Sequence, residues 1–144
     1  MAINASRNNN VRSGNNIVIK VGGVEVGMAQ DMSASDDYGL DAASGIGDIH
    51  VKEHVPTIAR HQIRLSVVAL KANSMRAIGA FTENGDAALE GIVFDIVQQD
   101  KATGTELRKY IGCSFGSGET TIQKHAIVIS NATFMALDVT GVGL

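Results

Sequence analysis

The chain has no tryptophan, one proline (Pro56), one cysteine (Cys113) and only 4% aromatic residues over 144 positions. Each scarcity excludes something. A single cysteine rules out an intramolecular disulfide and any multi-cysteine zinc site, so no oxidising compartment is needed. Few aromatics mean a core built from Val, Ile, Leu and Ala. They also argue against an aromatic-lined ligand pocket. A net charge of −3 and a pI near 5.7 argue against a surface that grips nucleic acid by its phosphates. No apolar run approaches the ~20 residues of a membrane-spanning helix, and the polar, Asn-rich start shows no signal-peptide core. The expectation is a soluble protein made in the cytosol, with no membrane partner.

What is present is a period of two. Residues 60–70 alternate Ile63, Leu65, Val67 and Ala69 against Gln62, Arg64, Ser66 and Val68, the signature of a strand with one buried and one wetter face. Residues 16–30 read as a hairpin. Ile17, Ile19 and Val21 lead into Gly22-Gly23, where both turn positions can take positive φ. Residues 31–47 carry Asp31, Asp36, Asp37 and Asp41, with Asp48 at the edge, and show no sustained apolar period. They are expected to form a long loop. Residues 49–55 read as a short strand ended by Pro56. Asn73 or Ser74 caps an expected short helix, in which Met75, Ile78 and Phe81 make one stripe. Strands are expected over 91–99, 107–115, 121–130 and 132–140, with Gly116-Ser117-Gly118-Glu119 as a turn. The 144 residues form one domain, with residues 1–15 as a flexible arm. The fold class is mainly β: an antiparallel sandwich or barrel with one short flanking α-helix.

The motifs that look chemical fail on context. Gly112-Cys113-Ser114-Phe115-Gly116 fits G-x-S-x-G, but that nucleophile needs a strand-to-helix turn in an α/β sheet. Gly116 to Thr120 places Glu119 where a phosphate loop needs Lys. The five carboxylates do not follow EF-hand spacing. His50 and His54, four apart on an expected strand, are separated by about 13 Å and cannot share a metal unaided. Cys113 falls on an apolar parity and reads as a buried small hydrophobe. Two glycosylation sequons, at Asn4 and Asn131, carry no weight without a secretory signal. No catalytic, cofactor or metal residue is assigned, and the protein is expected not to be an enzyme.

The order of elements is the remaining signal: an N-terminal hairpin, a long loop, the alternating strand at 60–70, a short helix, then a series of strands. In that order the chain resembles the tail tube protein of contractile-tailed bacteriophages, over roughly residues 17–139. Tube proteins of contractile injection systems and type VI secretion are related. The resemblance implies a structural virion protein whose hexameric rings stack into a tube for DNA delivery. Its implied partners are copies of itself, a surrounding sheath, baseplate and tail-terminator proteins, and DNA passing without specific binding. Asp31, Asp36, Asp37, Tyr38, Asp41 and Asp48 become candidate contacts between subunits or rings. Gln62, Arg64 and Ser66 would face either the channel or the adjoining sheet. The acidic balance suits a channel that a polyanion must traverse. The alternatives are a tube or ring component of an injection or secretion system, a tube initiator or joining protein, or a small β-barrel that binds a ligand.

Overall fold

A computed structural model describes residues 12–25, 29–68 and 91–142. The described elements are a 3-10 turn (Gly14–Asn16) and ten strands: β1 (Ile17–Val21), β2 (Val24–Glu25), β3 (Ala29–Asp37), β4 (Leu40–Ala43), β5 (Glu53–Pro56), β6 (Arg60–Val68), β7 (Phe94–Asp100), β8 (Glu106–Thr121), β9 (Ile129–Ala136) and β10 (Asp138–Gly141). All pairings are antiparallel. The strand order is β2-β1-β7-β8-β9-β6-β3, with β10 also on β8, while β4 and β5 pair apart as a small two-stranded unit. The mainly β, antiparallel fold class holds. The flanking helix expected at 75–81 lies outside the described residues.

The central feature is β8, a 16-residue strand that serves two sheets. Its first half pairs with β7 as far as Cys113, and its second half pairs with β9 from Ser114 onward. The change occurs at Gly112, whose φ is +68°. That left-handed backbone conformation favours glycine, and a Cβ there would also crowd the exposed Leu137 side chain at 2.8 Å. A register shift between Phe115 and Ser117 follows, and a Cβ on Gly116 would press 3.2 Å from the Thr133 carbonyl oxygen. The G-x-S-x-G glycines are thus the bend and bulge of a strand.

The bent strand folds one sheet over the other, and the core fills the gap. Ile63, Leu65 and Val67 of β6 meet Ile96, Tyr110, Cys113, Ala132 and Phe134, all buried. Phe134 sits at the centre with Phe94 and Phe115 edge-on at ring separations of 5.5 and 6.1 Å. With so few aromatics, three of them packed together form the bulkiest part of the interior. Burial pushes the Cys113 thiol up to about 11, as suits a packed, unreactive sulfur.

The N-terminal hairpin forms as read, with Gly22 and Gly23 at φ +60° and +84°. Five expectations are corrected. Residues 31–37 are not loop: they belong to β3, which pairs with β6 along eight register positions. Polar residues on both parities hid the strand, because an edge strand with one solvent face needs few apolar side chains. Residues 116–119 do not turn the chain, because β8 runs on to Thr121. The turn is at 122–128, inside the stretch read as a strand. Its isoleucines, Ile122 and Ile127, mimic a strand but are exposed. The strand read over 132–140 is the end of β9 followed by β10, broken at Leu137. Residues 12–15 of the expected arm are anchored. Arg12 pairs with Asp100 at 3.6 Å, Ser13 caps the 3-10 turn, and Lys101 N–H donates to the Asn16 carbonyl.

Phe134→Ala is expected to cost about 3–5 kcal/mol, the usual range for deleting a fully buried Phe. Denaturant unfolding of dispersed subunits, followed by far-ultraviolet circular dichroism, measures it.

Candidate functional site

The second sheet is β8-β9-β6-β3, and its outward face is polar apart from Met135. Cross-strand registers place Asp31, Ser66, Asn131 and Glu119 in one row. The next row holds Ser33, Arg64, Thr133 and Ser117, and the third holds Ser35, Gln62, Met135 and Ser114. Ser66 Oγ donates to Asn131 Oδ1 at 2.6 Å, so these side chains share the face. Gln62, Arg64 and Ser66 therefore point away from the adjoining sheet. The alternation that buries Ile63, Leu65 and Val67 requires it. The face carries no aromatic residue, and Asp31, Asp37 and Glu119 stand against Arg60 and Arg64.

Two backbone edges flank this face. Among the described residues, β3 has only β6 beside it, and the second half of β8 has only β9. Unpaired strand edges are templates for pairing with another chain. The four strands alternate in direction, so β3 of one copy and β8 of the next would run antiparallel.

At the end of β3 the β3–β6 hairpin continues as a projecting arm made of β4, β5 and the loop between them. The kink between sheet and arm is built locally. Gly39 has φ +57°, its N–H donates to Asp37 Oδ1 at 2.9 Å, and the Thr57 hydroxyl donates to the Gly39 carbonyl at 2.5 Å. A Cβ on Gly39 would fall 2.7 Å from Thr57 Oγ1. At the tip, Asp48 accepts from Gly45 N–H at 2.8 Å and pairs loosely with Lys52. Leu40, Ile46, Ile49, Val51, Val55 and Ile58 are all exposed on or beside the arm. So many apolar side chains facing water mark a surface made to be covered.

A charged cluster closes the root of the arm. Asp36 points inward from β3. Its Oδ1 lies 2.6 Å from Nδ1 of buried His61, and its Oδ2 accepts from Arg108 at 2.6 Å. Arg108 comes from the opposite sheet and also lies over the Tyr110 ring, while Tyr38 packs edge-on against His61. The cluster ties β3, β6 and β8 together where the arm leaves. The hydrogen bond from His61 lowers the Asp36 carboxyl below its ordinary value. Burial opposes this, and the Arg108 guanidinium reinforces it.

The six carboxylate-region candidates thus separate. Asp36 is committed within the subunit. Asp31 and Asp37 lie on the polar face, Tyr38 and Asp41 at the arm's base, and Asp48 at its tip. His50 and His54 both belong to the arm region. No three His, Cys, Asp or Glu converge on a possible metal position among the described residues. Sequence reasoning missed Ser33, Ser117, Glu119, Asn131 and Thr133 as part of one face. The alternation of Asp31, Ser33, Ser35 and Asp37 was the available signal for β3. It also missed the Asp36–His61–Arg108 cluster, whose members are 25 and 72 residues apart in sequence.

Because the folded Asp36 carboxyl titrates below its unfolded value, it adds stability above about pH 4. That contribution disappears as pH falls through the lowered folded value. Asp36→Asn should lower stability at neutral pH and flatten this part of the acid-unfolding profile. Thermal melts of both proteins from neutral pH to pH 2 test it.

The sequence matches the family described as the Phi812 tail tube protein over residues 6–140. It is 28% identical over 130 residues to Virion protein 5 of Enterococcus phage phiEF24C, covering 90% of this chain and 92% of that protein. The fold is similar to a chain of the sheath–tube complex of an extracellular contractile injection system, PVC, in its extended state. That match has a TM-score of 0.67 at 14% identity over 94% of each chain. It is also similar to a chain in the tail of an empty gene transfer agent particle with C6 symmetry. There the TM-score is 0.64 at 9% identity, over 92% of this chain and all of that one. A match across nearly the whole sequence makes this a structural, non-enzymatic component of the virion tail: the chain belongs to the Phi812 tail tube protein family.

Proposed function

We propose that six copies close into a ring and that rings stack into the inner tube of a contractile tail, through which DNA passes. The observation that carries this reading is the largely polar four-stranded sheet whose two edges, of complementary direction, have no further strand beside them among the described residues. A head-to-tail contact of unlike edges closes when its rotation divides the circle. Six such sheets, roughly 24 strands, exceed the ~16–18 at which barrels already enclose an aqueous channel. Six-fold symmetry is borrowed from the gene transfer agent tail.

The face of Gln62, Arg64 and Ser66 then lines the channel. Hydroxyls, amides and a slight acidic excess hold phosphates weakly, which suits a molecule that must travel. Arg64 sits one row from Asp31 and Glu119, whose charge limits its grip on a passing polyanion. The outer sheet, where Lys109 pairs with Asp95 at 3.5 Å, is left for a surrounding sheath. The arm, with Asp41 and Asp48, and the edge residues Asp31, Asp37 and Tyr38 supply contacts to neighbouring copies. Baseplate and terminator proteins meet the tube ends. The PVC likeness favours an injection-system tube as the second reading, while the phage virion relative favours the tail of a virion.

Negative-stain electron microscopy with mass photometry tests the assembly. Hollow rings and tubes are expected. A monomer that persists at high concentration overturns the reading. Replacing residues 41–55 by a short turn should leave folding intact, because the arm buries little within the subunit, and should abolish tubes.

A further inference from the structure

The arm and the β8–β9 turn lie at opposite ends of the same sheet. The register of β6 shows this. Its first residue, Arg60, pairs with Asp37 at the root of the arm, and its last, Val68, pairs with Ile129, where the 122–128 turn ends. Eight steps along a strand make about 26 Å. The arm projects beyond one end by several more residues.

Both ends are apolar and exposed. Ile46 and Ile49 stand free near the tip of the arm, and Ile122 and Ile127 stand free on the turn. Their charges are of opposite sign. The arm carries Asp41, Asp48 and Glu53 against a single Lys52, whereas the turn carries Lys124 and no carboxylate. The turn also holds a conformation of its own. His125 has φ +64°, and Ala126 N–H donates to the Gln123 carbonyl. A non-glycine residue at positive φ is uncommon and points to a turn kept for its shape.

We propose that the β8–β9 turn is the receptor for the arm of a second copy of this chain in the adjacent ring. Ile122 and Ile127 cover Ile46 and Ile49, and Lys124 faces the acidic arm. The proposal rests on the stacked-ring reading and adds to it the identity of the acceptor. The contact is between unlike surfaces at opposite poles, so it does not close on itself. It propagates without limit along the axis, as a tube requires. It also explains why the chain tolerates isoleucines in a seven-residue turn that contributes nothing to the core.

A double variant, Ile49→Cys with Ile127→Cys, treated with a flexible bis-maleimide, tests the docking in assembled tubes. The native Cys113 does not interfere, because it is fully buried and its thiol is held protonated. The expected result on a denaturing gel is a ladder of high multiples, since each copy links to the one above and the one below. Either single variant should give no ladder. Tubes without a ladder would overturn the docking and leave the stacked rings standing. Wild-type protein that forms neither rings nor tubes would overturn both. If the double variant does not assemble, Ile127→Asp decides: rings without tubes are expected, and normal tubes would overturn the proposal.

Discussion

The structure depends on one strand having to serve two sheets. β8 leaves the first sheet and enters the second within a few residues, and Gly112 is where the backbone turns. Its positive φ strains any other residue there, and Leu137 packs close against it. Because the strand is continuous, the two sheets cannot slide or rotate independently. That fixes the gap into which Phe134, Phe94 and Phe115 fit. With few aromatics to spend, the chain places three of its four phenylalanines around that junction. It also leaves the second half of β8 with only β9 beside it among the described residues, because the residues that pair with β7 lie before the bend. The bend therefore shapes both the core and the surface available for assembly.

Polar interactions are distributed to match. The outward face of the second sheet is wet, hydroxyl-rich and nearly balanced in charge, whereas the inward charges are confined to a single cluster. Asp36, His61 and Arg108 satisfy one another where the arm departs, and all three strands that meet there contribute. A partly buried, hydrogen-bonded charge cluster contributes modestly to net stability, but removing one member leaves its partners unsatisfied. Here it holds the root of an arm whose own residues are almost entirely exposed. A projecting hairpin with no core of its own is marginal in isolation, so its direction has to be set at its base. Asp37, Gly39 and Thr57 complete that base through short local hydrogen bonds.

Much of the fold was legible because hydrophobic period and turn chemistry are local. The alternation from Ile63 to Val67 and the Gly22-Gly23 turn appear in the structure where the pattern put them. β3 was illegible for a physical reason. As an edge strand it needs only Met32 and a small neighbour toward the core, so Asp and Ser could occupy both parities. The 122–128 turn was misread for the converse reason. Its isoleucines are not buried within the subunit, so their hydrophobicity signals something other than a strand.

The sequence by itself determined that the chain is a β protein with a small-residue core and no multi-cysteine metal site. It also determined that one face of β6 is polar. These follow from composition and from a period of two, which any strand must obey. Which way Gln62, Arg64 and Ser66 face was decided only by the tertiary structure, because parity distinguishes two sides but not which side meets the other sheet. The same holds for the cluster joining Asp36 to Arg108 and for the placement of the arm and the β8–β9 turn at opposite poles. Each depends on contacts between residues distant in sequence, and no local pattern encodes that distance.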